Sequence, residues 1–379
     1  MLLALCSLLY LTRSGAKPVE NNPRTQGCVV SSPSMSSNSS HMYTDSEPCL
    51  TNQCKIDVHH HYVPSFFPEA FRNEGGDPSG FGLPDWNLQL DTQFSNDHGI
   101  STRILSLSSP GVSLFNNHSA ARAMVRKVNE YGASLRVKDP SRIGFFTALP
   151  SLFDKEATLA EIRYGFDVLK ADGVGLYTRH RNDRAQGYYL GHRNFTEIWD
   201  ELDRRKAVVF IHPTYEPTPL TRVEPNITAS TIDFPQETTR TAVDLIVTDT
   251  LKNHPNFKII LSHAGGTLPY IAGRVSTHLY HSGRITKTPE EFMEESKKFY
   301  FDTATSGNEL TLSLLEKFAV DSHIVFGTDF PYGPQRAISL SVKKIETFEW
   351  KETTADKVNR DNALNLFPRL NRSPGGQLV

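Results

Sequence analysis

Beyond residue 54 the chain has no cysteine; its four, Cys6, Cys28, Cys49 and Cys54, all stand near the amino terminus. That excludes a thiolate-built zinc site and a disulfide scaffold in the rest of the 379 residues. No apolar run approaches the ~20 residues needed to span a bilayer. Neither sign of charge prevails: 40 lysines and arginines face 42 aspartates and glutamates, so no basic field points to nucleic acid or an anionic membrane. Internal repeats are missing, and no glycine-rich phosphate cradle follows the first strand-like run. Hydrophobic residues at 38% and aromatics at 10% still suffice for a packed core over most of the length.

Residues 1–16 read as a cleaved signal peptide. A short apolar run covers 2–11, and Ser14-Gly15-Ala16 supplies small residues for cleavage. No lysine or arginine precedes the run and Arg13 falls on its far side, so a poorly ordered apolar tail or short anchor is the competing reading. The first reading places the protein in the secretory pathway or outside the cell, the second in the cytoplasm. Five Asn-x-Ser/Thr sequons, at Asn38, Asn117, Asn194, Asn226 and Asn371, are compatible with a secreted glycoprotein. Residues 17–53 read as a flexible leader, because the Ser/Asn/Pro-rich tract over 31–40 buries too little apolar area to offset its ordering entropy. In an oxidising compartment, Cys28, Cys49 and Cys54 would give one local disulfide and one odd thiol.

From 54 to 368, short strand-like runs alternate with longer helix-like ones; 369–379 is a tail. Strands are expected over 54–61, 102–107, 143–149, 174–177, 208–212, 258–262, 299–302 and 324–327. They are nearly continuous in Val, Ile, Phe and Leu, as strands covered on both faces require. Helices are expected over 120–137, 155–170, 195–206, 237–252, 309–318 and 335–347; in the third, Phe195, Ile198, Trp199 and Leu202 share one face. Eight strands alternating with helices close most simply into a (β/α)8 TIM barrel, an α/β fold. An open doubly wound sheet is the alternative, and it would bring the glycine-rich first turn that is missing. Two excursions, 63–99 and 214–235, follow the first and fifth strands and would roof the catalytic end.

Histidines collect at the strand ends. In Ile56-Asp57-Val58-His59-His60-His61 the alternation of a strand points His59 and His61 the same way and His60 the opposite way. Two inward imidazoles at one barrel mouth can grip a metal ion, although a polar strand end would look the same. His212 ends an otherwise apolar strand, His263 repeats the arrangement one strand later, and Asp329 follows the eighth. A carboxylate after such a buried run is expensive unless it meets a cation or donors. In a closed barrel these strand ends converge, and the joint reading is a metal cage.

His59-x-His61, Phe210-Ile211-His212-Pro213, His263-Ala264-Gly265-Gly266 and Gly327-Thr328-Asp329-Phe330-Pro331 together resemble the amidohydrolase superfamily. More narrowly they resemble its decarboxylase branch, around aminocarboxymuconate-semialdehyde decarboxylase and the o-hydroxybenzoate decarboxylases, with the nearest likeness to fungal 6-methylsalicylate decarboxylases. Lesser signatures agree: Ser106-Leu107-Ser108-Ser109-Pro110-Gly111, Tyr189-Leu190-Gly191 and a tail over 362–367. The resemblance implies His59, His61, His212 and Asp329 as metal ligands and His263, with Asp329, as acid/base. Binuclear relatives carry a lysine at the end of strand four; 173–178 has none, so one ion is implied, Zn2+ or, in a more oxygen-rich shell, Mn2+. Arg274, eleven residues after His263, occupies the position of an arginine that reaches into a neighbouring subunit to hold a substrate carboxylate, which implies a homodimer. No arginine lies between Arg72 and Arg103, which argues against a dicarboxylate and suits a small aromatic monocarboxylic acid.

The implied reaction is non-oxidative decarboxylation of an ortho-hydroxybenzoate, 6-methylsalicylate to m-cresol and CO2 in fungal polyketide biosynthesis. A proton from Asp329 or His263 reaches the carboxyl-bearing carbon and the C–C bond breaks, with no organic cofactor. Trp86 and Phe330 are candidate walls of the substrate pocket, and His60 should be silent at the site. Two other readings use the same barrel: a metal-dependent hydrolase of an amide or lactone, and a non-catalytic secreted binding scaffold.

Overall fold

The computed structural model describes residues 54–115, 117–182, 186–214 and 227–371. The expected signal over 1–16, the leader over 17–53, Asn38, Asn226 and the middle of the second excursion lie outside them. Cys54 is disulfide-bonded.

The described residues form ten strands: β1 (Lys55–His61), β2 (Ile100–Ser106), β3 (Ile143–Ala148), β4 (Gly173–Tyr177), β5 (Arg179–Arg181), β6 (Gly187–Tyr189), β7 (Val208–His212), β8 (Lys258–Leu261), β9 (Tyr300–Asp302) and β10 (Ile324–Val325). Eight of them form one parallel sheet in the order β1-β2-β3-β4-β7-β8-β9-β10. It closes on itself where Val58 N–H donates to Phe326 O at 3.0 Å and His61 N–H to Phe330 O at 2.7 Å, with a parallel bridge between His60 and Phe330. This is the expected (β/α)8 barrel. The antiparallel hairpin β5–β6 is an addition that the sequence does not signal, since each arm has three residues and no apolar alternation.

The expected helices appear with shifted ends. The fourth begins earlier, at Ala229, and carries Pro235 inside Ala229–Val247. The first excursion is not a bare loop, because Phe67–Asn73 and Leu88–Asp97 are helical, the latter capped by the Asn87 side chain. The helix Thr196–Arg204 buries Ile198, Trp199 and Leu202 as its spacing requires, and Trp199 Nε1 donates to Leu190 O at 2.8 Å. No helix among the described residues is long and apolar enough to cross a membrane.

The barrel is filled rather than hollow. Phe146 of β3 and Phe210 of β7 stack with centroids 5.4 Å apart, and Phe210 meets the His59 ring at 4.8 Å. Ala363, Leu366, Phe367 and Leu370 pack against Ile56, Ile104 and Val208 in the same cluster. Burying a phenylalanine contributes about 1.5–3 kcal/mol, so this plug stabilises the floor beneath His59. Arg369 ties the tail down through Asp172 and through Pro140 O at 2.7 Å. The sequons at Asn117, Asn194 and Asn371 are exposed.

Candidate metal centre and active site

His59 and His61 end β1, His212 ends β7 and Asp329 follows β10; one ligand atom from each lies within 4.8 Å of the others. Each imidazole is oriented by a bond at Nδ1. His59 Nδ1 donates to Asp302 Oδ2 at 2.8 Å, His61 Nδ1 lies 2.8 Å from Ser106 Oγ, and His212 Nδ1 donates to Pro213 O at 2.8 Å. These partners leave the three Nε2 atoms facing one another, as a second set of bonds does in metal-binding histidines. His59 Nε2 and His61 Nε2 are 3.0 Å apart, and Asp329 Oδ1 stands 3.2 and 3.1 Å from them.

Among the described residues that buried carboxylate oxygen finds no aligned hydrogen-bond donor, although two rings are this close. Acceptors crowded around a common centre without a donor fit a cation there. The titration behaviour agrees. Burial pushes His61 down to about 4 and, with its imidazole neighbours, holds His212 well below the usual range, so both rings are neutral, as metal-binding imidazoles must be. Burial also depresses His59, but the Asp302 and Asp329 carboxylates outweigh it and hold the ring up at about 10; a metal ion would take that proton's place. Asp329 is opposed by burial yet held well below the carboxylate range by His59 and by hydrogen bonds from His263.

The motifs around the cage have steric reasons. A Cβ on Gly327 would stand 2.8 Å from His59 Cβ, so only glycine lets the chain leaving β10 pass the cage. His263, Ala264, Gly265 and Gly266 all have positive φ, and a Cβ on Gly266 would meet Pro235 O at 2.1 Å. This turn brings His263 Nε2 to 3.4 Å from Asp329 Oδ2, while His263 Nδ1 is buried without a partner among the described residues.

A cavity of about 430 Å³ opens on His212, His263 and Asp329. Its apolar walls are Phe81, Phe234, Pro235 and Tyr332, and Tyr332 packs edge-on against His61 at 5.2 Å. Among the described lining residues there is no lysine or arginine.

A family model described as Amidohydrolase matches residues 56–369. The chain belongs to the amidohydrolase family. This amidohydrolase is 44% identical over 317 residues to a 6-methylsalicylic acid decarboxylase of Penicillium expansum, covering 83% of this chain and 97% of that one. It is also 44% identical to the 6-methylsalicylic acid decarboxylase acuB of Aspergillus aculeatus, over 84% of this chain and 97% of the relative. A solved structure described as amidohydrolase II superposes with a TM-score of 0.75 at 28% identity, over 83% of this chain and 99% of that one.

Within this amidohydrolase, the residues proposed as walls sit elsewhere. Phe330 does not line the cavity but stacks on Phe94 at 4.1 Å, behind the cage. Trp86 does not line it either; its Nε1 donates to Asp91 Oδ2 at 3.1 Å and its ring faces Tyr62 and Tyr131. The walls are supplied by residues the sequence reading passed over, above all Tyr332, three residues past Asp329. Asp302 was also missed, although it ends the apolar run of β9 just as Asp329 follows that of β10, and the same cost argument marks it. Its Oδ1 further accepts from His263 N–H at 2.9 Å, so one carboxylate orients two site histidines. Tyr177 ends β4, where binuclear relatives carry lysine, and its hydroxyl is spent on Leu107 O at 3.0 Å. Arg274 lies exposed on the helix Leu268–His281 and outside the cavity lining.

Proposed function

We propose that this amidohydrolase is a metal-dependent, non-oxidative decarboxylase of ortho-hydroxybenzoate acids, acting on 6-methylsalicylate to release m-cresol and CO2. The observation that carries the reading is a partly aromatic cavity without a lysine or arginine among its described lining residues, opening onto a three-histidine, one-aspartate cage. Among the described residues of one protomer, the cage is therefore where an organic acid would be neutralised. The two 44% identical relatives with this named activity support the same substrate. His59, His61, His212 and Asp329 would hold one ion, Zn2+ by the donor set, with Mn2+ the alternative.

A bound divalent ion supplies a Lewis acid that draws electron density from the substrate's carboxylate and ortho oxygens. The chain's own residues do the rest. Phe81, Phe234 and Tyr332 clamp the ring and exclude water, and the Asp329–His263 pair delivers a proton to the carboxyl-bearing carbon. Carbon dioxide then leaves with loss of the C–C bond, and aromaticity returns. Metal-loaded enzyme incubated with a panel of salicylates should release CO2 from 6-methylsalicylate, and chelation should stop it. Hydrolysis of an amide or lactone panel without CO2 release would replace this reading with a hydrolase.

A homodimer completes the proposal. Tyr270 and Leu310, on two helices that pack together beside the cavity, are 80% and 83% exposed, an apolar face suited to a second copy. Arg274, near Tyr270 and outside its own cavity, would then reach the partner's substrate carboxylate. Arg274→Ala should raise KM by the loss of a charge-assisted bond of roughly 1.5–3 kcal/mol while sparing bound metal. Heterodimers of Arg274→Ala with His212→Ala should recover activity, because one complete site forms; no recovery in verified heterodimers would leave Arg274 a surface charge.

A further inference from the structure

Asp329 has a φ of +67°, a left-handed conformation that is strained for a residue with a side chain. Behind it runs a buried line of polar groups that the reaction does not use. Thr328 Oγ1 donates to Asp57 Oδ2 at 2.6 Å and Thr328 N–H to Asp57 Oδ1 at 3.1 Å. His60, pointing away from the cage as strand alternation requires, places Nδ1 2.9 Å from Asp57 Oδ2 and Nε2 3.0 Å from Asp91 Oδ2. Arg103 Nε closes the line on Asp91 Oδ1 at 2.5 Å, and Trp86 Nε1 adds the bond to Asp91 already described. Thr328, Asp57, His60, Asp91 and Arg103 are each at most 2% exposed.

Five buried polar side chains in series are a poor way to gain stability, since apolar residues of similar volume serve as well or better. Barrel closure does not need them either: Asp329 N–H to His59 O at 2.8 Å and His61 N–H to Phe330 O already join the two edges. What the line does reach is the residue before Asp329. Thr328 Oγ1 also accepts from Phe330 N–H at 3.1 Å, so one hydroxyl grips both sides of the strained ligand.

We propose that Arg103, Asp91, His60, Asp57 and Thr328 form a positioning relay that holds Asp329 in its left-handed conformation with Oδ1 turned into the cage. They act through Asp329 and touch no substrate. The relay rests on the metal-centre reading above, and Thr328→Val tests it, since valine keeps the shape and loses the hydroxyl. Mn2+ affinity, followed by the electron paramagnetic resonance of the free ion, and kcat should both fall by about 10- to 100-fold, the scale for groups that orient a metal ligand. KM should move by less than about twofold, as expected for an interaction made in the transition state more than with ground-state substrate. The visible spectrum of the Co2+-loaded variant should shift, the metal-free protein should melt as wild type does, and Thr328→Ser should restore every readout. Unchanged Mn2+ affinity and Co2+ spectrum in Thr328→Val, or no rescue by serine, would overturn the relay while wild type still binds metal and releases CO2. Metal-free Thr328→Val and Thr328→Ala both melting far below wild type would overturn it as well, by making the hydroxyl structural. A wild-type protein that bound no metal would remove the functional reading and the relay with it.

Discussion

His61→Ala should leave a folded barrel that neither holds metal nor turns over substrate. In the proposed cage of four ligands His61 would supply Nε2, while Ser106 holds its other nitrogen. Complete structural zinc sites in small peptides are worth about 10–16 kcal/mol, and losing one of four ligands removes several of those. The fold should survive because the ring stands at the mouth, above the stacked Phe146 and Phe210 that fill the barrel. A ligand that binds only the folded state raises its melting temperature, so added metal should stabilise wild type and not the variant. Metal content by elemental analysis and paired thermal melts check both halves. Stoichiometric metal and full rate in His61→Ala would mean that the cage is wrongly assigned. His59→Ala should behave in the same way, with Asp302 in addition left without its partner.

The parts of this site that were legible in the sequence are those in which burial and polarity conflict. His212 ends and Asp329 follows an apolar run, where such a residue needs a reason to be, and alternation along a buried strand turns His59 and His61 the same way. The barrel was legible for a related cause, because strands covered on both faces must be apolar throughout and stand out from amphipathic helices. The cavity walls were not. Tyr332, Phe81 and Phe234 come from the segment after β10, the first excursion and the helix after β7, and no periodicity relates them. Trp86 and Phe330 misled because an aromatic beside a site motif serves packing as readily as substrate. Phe330 follows a residue at positive φ, and the turn carries its ring to the back of the cage against Phe94 and His60. His60 is the subtler case. Alternation gave its direction correctly, but direction alone says nothing of Asp91, which lies 31 residues away. Those two nitrogens bridge two carboxylates, and although burial opposes its charge, Asp91 and Asp57 hold the ring up at about 9. If the relay holds, a group so engaged would not be silent at the site.

His263→Asn and Asp329→Asn should separate proton delivery from metal binding. Both residues have positive φ, at 55° and 67°, where asparagine is among the few side chains readily tolerated, so neither change should disturb the backbone. Asp329 faces two ways: Oδ1 looks into the cage at His59 and His61, and Oδ2 lies 3.4 Å from His263 Nε2. Asp329→Asn removes the only carboxylate among the proposed ligands, so metal and turnover should be lost together. His263 stands beside the cage, held by its backbone bond to Asp302 and not by a ligand geometry. His263→Asn should therefore keep stoichiometric metal and bind substrate, yet lose roughly 10²- to 10⁴-fold in kcat, the usual worth of a positioned acid. An amide can hold a hydrogen bond there but cannot release a proton to the ring carbon. Elemental analysis, a binding titration with an unreactive substrate analogue and single-turnover CO2 release distinguish the cases. Loss of metal in His263→Asn would promote His263 to a ligand. A full rate would leave Asp329 as the sole proton donor, delivering from the oxygen that now faces His263.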